Sequence, residues 1–398
     1  MGKAKKAKKK TPYSGGDYLL VLTTLGIMIF GVTMVFSASY YYSINDTGNP
    51  YAFLIKTVAW DFLGVIAMLF MAGFDYHRLK KIAPAFMAVS IFLLCMVFTP
   101  LGVEINYATR WIRIGSAAHG FTFMPGEAAK PAVILFTAWF LCKNPAKIKS
   151  FSQGVLPLML LAGVCGGLIV MQPNLSTAIT VCIIIFGMMF AAGVKLIYFG
   201  GLAGMGGLAV LSLILFNPDS HWNKRLTSFM DPFADPLNTG YQVCQSLLAL
   251  GSGGLFGRGL GKSIQKNLYL PEPQNDFIFA IIGEELGYVR CLLLIMAYMV
   301  LVWRAIEIAV NAKDLFGSLL ASGIGIMIGI QVILNIAVVT SSMPPTGVIL
   351  PLVSYGGNAT IIFLGCIGVL LNISRYAGKE GRKVVVREKI NTAMGRLR

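Results

Sequence analysis

The stretch FIFAIIGEELGYVRCLLLIMAYMVLVW, Phe277–Trp303, decides the class of fold. It stays apolar for longer than the roughly 20 residues a helix needs to cross the hydrocarbon core of a bilayer. Only helices and closed barrels satisfy their backbone in lipid, and a continuous apolar run lacks the alternation of a barrel strand. The run is nevertheless interrupted by Glu284, Glu285 and Arg290. Charges in such a place are costly and mark function or close pairing. Two adjacent glutamates need cationic partners to stay ionised there. Arg290 can snorkel to the interface or pair with one of them.

Nine more runs of this kind surround it. They are Tyr18–Ser39, Phe53–Phe74, Ala83–Leu101, Glu127–Cys142, Gly154–Met171, Asn174–Ala192, Leu196–Phe216, Phe316–Ser341 and Leu350–Ile373. The expected fold is an all-α polytopic membrane protein with about ten transmembrane helices across 18–373. A large extracytoplasmic loop, 217–276, lies between helices 7 and 8, and basic tails, 1–17 and 374–398, flank the whole. Composition agrees, because only 13% of the 398 residues are charged, about half the share in a soluble domain. The first run is too long for a signal peptide core and ends without an A-x-A-like site. Of the cysteines, Cys95, Cys142, Cys165, Cys182, Cys291 and Cys366 sit in apolar runs and Cys244 in a loop, with no C-x-x-C pair. They read as small hydrophobes and argue against a disulfide or zinc framework.

A net charge of +16 invites a nucleic-acid reading, but the placement of the charge excludes it. The lysines of the first ten residues and the basic end from Arg375 to Arg398 are juxtamembrane tails of the kind that attract anionic headgroups. Short cytoplasmic segments retain Lys and Arg. With the N-terminus inside, 23 of the 33 basic residues fall on inner segments. Both termini are then cytoplasmic. Seven cations fall outside: Arg110, Arg113, Lys224, Arg225, Arg258, Lys262 and Lys266. Either these loops escape the charge rule or they build an anion site, and a pyrophosphate would need several such cations.

The loop carries Trp222, Phe229, Phe233, Tyr241 and Phe256, and Gly240–Leu250 has helical apolar spacing. Amphipathic helices at the membrane surface are expected. The glycines Gly251, Gly253, Gly254, Gly257, Gly259 and Gly261 read as a flexible hinge or a headgroup contact. Elsewhere, Glu127 and Lys130 share a helix face three residues apart, as a structural ion pair or a ligand-contacting one. Asp276 ends the loop in Leu270-Pro271-Glu272-Pro273-Gln274-Asn275-Asp276. By position it is a good helix cap.

These motifs resemble the SEDS family of shape, elongation, division and sporulation proteins, which includes FtsW, RodA and SpoVE. The resemblance runs from about Asp17 to Tyr376. It rests on Arg225…Asp231-Pro232…Asp235-Pro236…Gly240-Tyr241-Gln242…Gln245-Ser246, on Ser252-Gly253-Gly254-Leu255-Phe256-Gly257, and on Leu270-Pro271-Glu272…Asp276-Phe277. It rests also on Gly283-Glu284-Glu285-Leu286-Gly287, Pro345-Thr346-Gly347…Leu350-Pro351 and Ser354-Tyr355-Gly356-Gly357. The sequence departs from the family's usual pattern at Asn275, Gly126, Asn358-Ala359 and Arg290. Details of the motifs favour the FtsW and SpoVE branch.

The resemblance implies a peptidoglycan glycosyltransferase that polymerises lipid II outside the cytoplasmic membrane, in division, elongation or sporulation. It implies Asp276 as the catalytic carboxylate. Glu127, Gln242, Ser246, Glu285 and Ser354 become candidate substrate-binding residues. The implied partners are a class B penicillin-binding protein, other divisome or elongasome proteins, lipid II and undecaprenyl pyrophosphate. The chemistry is consistent. A sugar hydroxyl attacks an anomeric carbon whose pyrophosphate leaving group needs charge neutralisation more than a proton. One carboxylate base with several cations suffices, unlike hydrolysis of a glycosidic bond. An Asp pKa of about 3.9, modestly raised by burial, would suit the base. Lys56, Arg110, Lys130 and Arg225 are the candidate pyrophosphate contacts. A single displacement inverts the anomeric carbon from α to β. A divalent cation, Mg or Mn, is left open. Inward-facing charges also suit a lipid II flippase or other transporter, although no inverted repeat is evident. A purely structural scaffold would tolerate replacement of Asp276.

Overall fold

The computed structural model describes residues 17–105, 108–115, 121–143, 145, 148, 150–195, 197–201, 229–238 and 240–376. Its helices are α1 (Tyr18–Thr47), α2 (Ala52–Gly73), α3 (Tyr76–Met96), α4 (Pro125–Lys143), α5 (Leu156–Val170), α6 (Leu175–Ala191), α7 (Tyr241–Gly253), α8 (Ile278–Asn311), α9 (Leu315–Val339) and α10 (Gly357–Tyr376). Seven helices among the described residues are long and apolar enough to cross a membrane. α6 is a shorter apolar helix, and α4, the expected run with charges, is helical throughout. Of the seventh expected run only 197–201 is described. The chain is a multi-span helical membrane protein.

Local chemistry sets the helix ends. Asp17 accepts the Leu20 N–H at 3.1 Å to open α1, and Gly48, at φ 70°, closes it. Asp75, Asn174 and Asp314 cap α3, α6 and α9 in the same way, each satisfying a donor the helix leaves unpaired. At one end of the bundle Arg304 of α8 pairs with Asp17, and the Tyr76 hydroxyl donates to Asp314. Asn372 of α10 accepts the Tyr76 N–H and donates to the Ala72 carbonyl. The first and last described residues therefore lie at one end of the bundle. Of the seven long apolar helices, α9 and α10 are the most buried, while α1, α2 and α3 keep apolar side chains such as Leu22, Phe62 and Phe92 facing outward. That is the pattern of a bundle whose periphery meets lipid.

Three features depart from a plain bundle. The outer segment after α3 forms a small antiparallel sheet of β1 (Gly102–Ile105), β2 (Ala108–Ile114) and β3 (Phe121–Phe123), in order β1-β2-β3, which the apolar pattern does not announce. The expected last run begins seven residues early: Leu350–Gly356 is irregular, and α10 starts at Gly357. This segment is re-entrant. The Leu352 carbonyl presses on Gly31, midway along α1, where any side chain would clash. Irregular backbone at that depth survives only inside protein, and here side chains complete it. Tyr298 donates to the Pro351 carbonyl at 2.5 Å, Ser176 to the Thr346 carbonyl at 2.6 Å, and the Leu350 N–H to Ser354 Oγ at 2.8 Å.

Third, α8 breaks at Gly287, whose φ is 79°. The freed carbonyls of Glu284 and Glu285 accept N–H groups of Arg258 and Gly259 at 3.0 and 2.9 Å. Beyond the break, the N–H groups of Tyr288 and Val289 donate to the carbonyls of Gly254 and Leu255 at 3.0 and 3.2 Å. The glycine cluster makes this crossing possible, since a side chain at Gly253 or Gly257 would fall on the backbone of α8. Gly253 and Gly257 thus serve close packing of backbone, rather than a free hinge. α7, the expected amphipathic helix, packs against α8 and buries Val243, Cys244, Ser246 and Ala249. Burial and the nearby Asp231 carboxylate push the Cys244 thiol up from its ordinary value, which keeps it protonated and inert.

Candidate active site

The ends of α2, α4, α6, α9 and α10 on one side of the bundle, strand β2 and the residues leading into α8 enclose a cavity of about 360 Å³. Each wall has a local cause. Pro125 opens α4, a position that suits its fixed φ, and the next turn carries Glu127 and Lys130 into the cavity. Lys130 is only 2% exposed, and its Nζ lies 2.7 Å from Glu127 Oε1. A buried cation so placed depends on its partner. Arg110 reaches the cavity from β2, donating through Nε to the Gln172 carbonyl at 3.4 Å and through a terminal nitrogen to the Pro173 carbonyl.

Asp276 lines the same cavity, half-buried. The N-cap of α8 is Phe277, so Asp276 stands one residue outside the cap position. Asn335 of α9 fixes its backbone, with Nδ2 donating to the Asp276 carbonyl at 2.8 Å and the Val348 carbonyl at 2.6 Å. Gly347 runs beside its carboxyl: at φ 72° it occupies a conformation that L side chains avoid, and a Cβ there would sit 3.1 Å from Asp276 Oδ2. The re-entrant segment is also tied down by the Tyr355 N–H, 2.9 Å from the Gln274 carbonyl.

The structure thus gathers Asp276, Glu127, Lys130 and Arg110 into one cavity. It places the other expected site residues elsewhere. Lys56 is exposed on α2 with its Nζ 5.7 Å from the Phe53 ring centroid. Ser246 Oγ donates to the Val339 carbonyl at 2.8 Å, holding α7 to the end of α9, and Gln242 lies on α7 outside the cavity lining. Ser354 serves the re-entrant turn. Glu285 is buried against Lys266 Nζ at 2.8 Å and Ser37 Oγ. Glu284 accepts Ser263 Oγ and the Ile264 N–H and faces Arg258 at 3.6 Å. The cationic partners that two adjacent glutamates need are therefore Lys266 and Arg258, which withdraws both from any anion site. Arg290 donates to the Phe256 and Leu286 carbonyls. Arg225 lies outside the described residues.

Sequence reading missed Trp60, Trp111, Gln331 and Tyr355, which also line the cavity. For Gln331 a signal existed: Gln331 and Asn335 stand one turn apart in an otherwise apolar run. Among the described residues no group of three or more His, Cys, Asp or Glu side chains could hold a metal ion.

The chain was compared with known proteins. A family model described as cell cycle protein, covering FtsW, RodA and SpoVE, matches residues 17–379. Stage V sporulation protein E of Bacillus subtilis (strain 168) is 41% identical over 376 residues, 93% of this chain and 99% of that protein. A protein of Geobacter sp. (strain M18) named probable peptidoglycan glycosyltransferase FtsW is 39% identical over 361 residues, 90% of this chain and 97% of that protein. Among solved structures, one on the structural coordination of polymerization and crosslinking by a peptidoglycan synthase complex contains a chain similar at TM-score 0.73. It is 26% identical and covers 92% of this chain and 99% of its own. Rod shape determining protein RodA of Thermus thermophilus matches at TM-score 0.66 and 27% identity, over 90% of this chain and 97% of its own. With a cavity that gathers Asp276, Glu127, Lys130 and Arg110 at one end of a helical bundle, and a match over nearly its full length, the chain belongs to the FtsW, RodA and SpoVE family of cell cycle proteins.

Proposed function

We propose that this chain is a peptidoglycan glycosyltransferase that polymerises lipid II at the outer face of the cytoplasmic membrane, with Asp276 as general base. The observation that carries the reading is one cavity lined by Asp276, the buried Glu127–Lys130 pair and Arg110. The names of relatives such as the Geobacter protein support the activity. Asp276 removes the proton of the acceptor hydroxyl as that oxygen bonds to the anomeric carbon of the donor. The bond from that carbon to the lipid pyrophosphate breaks, and the electron pair leaves with the phosphate. One displacement gives inversion, α to β. Arg110 and Lys130 neutralise the leaving pyrophosphate. Lys56 drops out of that role because it is exposed on α2 and outside the cavity lining. A divalent cation, Mg or Mn, bound to the pyrophosphate would share its neutralisation with Arg110 and Lys130.

Both termini are assigned to the cytoplasm, which puts the cavity on the face where the extracytoplasmic loop lies. A class B penicillin-binding protein is the proposed partner, supported by the similarity to a chain of a peptidoglycan synthase complex. A flippase reading gains less support, because it gives Asp276 no chemical task.

The test is polymerisation of fluorescent lipid II by the purified chain with its class B partner, the partner's own catalytic serine inactivated. Loss of general-base help is worth about 10²–10⁴-fold. Asp276→Ala and Asp276→Asn are therefore expected to make no visible glycan ladder while folding like wild type. Equal ladders from all three would remove Asp276 from catalysis.

A further inference from the structure

The cavity wall carries hydrogen-bond acceptors that nothing described satisfies. Gln331, on α9 and 1% exposed, has an Oε1 with no partner among the described residues. Glu127 gives Oε1 to Lys130, but its Oε2 has none. Asn275 donates through Nδ2 to Glu272, and its Oδ1 is likewise unpartnered. All three residues line the cavity with Asp276. A buried acceptor without a donor costs about 1–3 kcal/mol. Three of them in one cavity describe the ligand that completes them: it presents N–H or O–H donors. A pyrophosphate offers only acceptors and belongs with Arg110 and Lys130. The acceptor wall therefore faces the saccharide.

Gln331 narrows this further. It lies one helical turn below Asn335, the residue that fixes the Asp276 backbone, hence roughly 6 Å deeper along α9. Its side-chain amide offers an oxygen acceptor next to an N–H donor. The group that matches both at once is a secondary amide, with its own N–H beside its own carbonyl.

We propose that Gln331 is a specificity-determining residue that binds the acetamido group of an amino sugar, its Oε1 accepting the acetamido N–H. The proposal rests on the reading of the cavity as a lipid II site. No bond is made or broken at Gln331; it orients the sugar under Asp276.

The test compares lipid II with two analogues, in which the acetamido group of its N-acetylglucosamine or of its muramyl sugar is replaced by an O-acetyl ester that lacks the N–H, in wild type and Gln331→Met. Methionine keeps the volume and removes a buried unpaired amide, so the variant is expected to keep its melting temperature. Wild type should prefer lipid II over one analogue by about tenfold in kcat/KM, the worth of one hydrogen bond. In Gln331→Met that preference should collapse to near one. A preference that persists in the variant, or its absence in wild type, overturns the proposal, as does an equal loss on all three substrates. Equilibrium binding of the same three lipids separates the two readings. If wild type makes no polymer, the polymerase reading fails, yet the same preference in Kd and its loss in Gln331→Met would still place the acetamido group on Gln331.

Discussion

Lys130 and Glu127 show what a single residue can be asked to do in this cavity. Breaking a buried pair by removing one partner costs about 3–5 kcal/mol, because it strands the other charge. Lys130→Met should therefore lower the melting temperature in detergent markedly. The double variant Glu127→Gln with Lys130→Met should recover most of that loss without recovering glycan synthesis. If the double variant polymerised normally, the pair would be structural only. At this scale the candidates came by different routes: Glu127 and Lys130 as charges in an apolar run, Arg110 as a cation in a loop, and Asp276 through the family resemblance, and all four line the cavity. Glu285 was equally visible and does not. A buried charge announces a partner, not which partner, and Lys266 is nineteen residues upstream in a loop. Gln331 was overlooked because a neutral amide leaves no charge signal.

Among elements, the broken helix α8 and the glycine segment that crosses it are the least forgiving. Gly287→Ala puts a Cβ onto the backbone of Gly257 at a positive φ, and Gly257→Ala does the same to the backbone of Glu285. No side-chain rotation relieves either contact. Each should reduce folded protein sharply in membranes, whereas Gly251→Ala, with open space around it, should be tolerated. Detergent-stable yield by size-exclusion chromatography would read this. Lys266→Met should be nearly as damaging, since Glu285 is fully buried, and Lys266→Met with Glu285→Leu should restore yield. Spans were legible because apolar length dictates them. The outer sheet, the break at Gly287 and the late start of α10 were not. Each depends on what the backbone meets across the fold: the sheet on strand pairing, the others on Gly257 and Gly31.

For the whole molecule, the placement of its turns gives a direct check on orientation. Thr47–Tyr51 and Ser341–Met343 lie at the cavity end, and Ala312–Lys313 at the opposite end. In a background without native cysteines, Asn49→Cys and Ser342→Cys should react with a membrane-impermeant maleimide in intact cells, and Lys313→Cys only after lysis. The opposite labelling pattern would invert the proposed topology. Charge asymmetry predicts this arrangement from the sequence, while the way the loop joins the bundle was hidden. That junction has a consequence for motion. Residues 254–259 bridge both halves of α8, bonding carbonyls before the break and N–H groups after it. None of these bonds can open alone without loosening its neighbours. The amides of Arg258, Gly259, Tyr288 and Val289 should then exchange with deuterium at one shared, slow rate, as a single cooperative unit. A force applied to the loop by a binding partner would reach the segment that carries Asp276 without a slack joint between them.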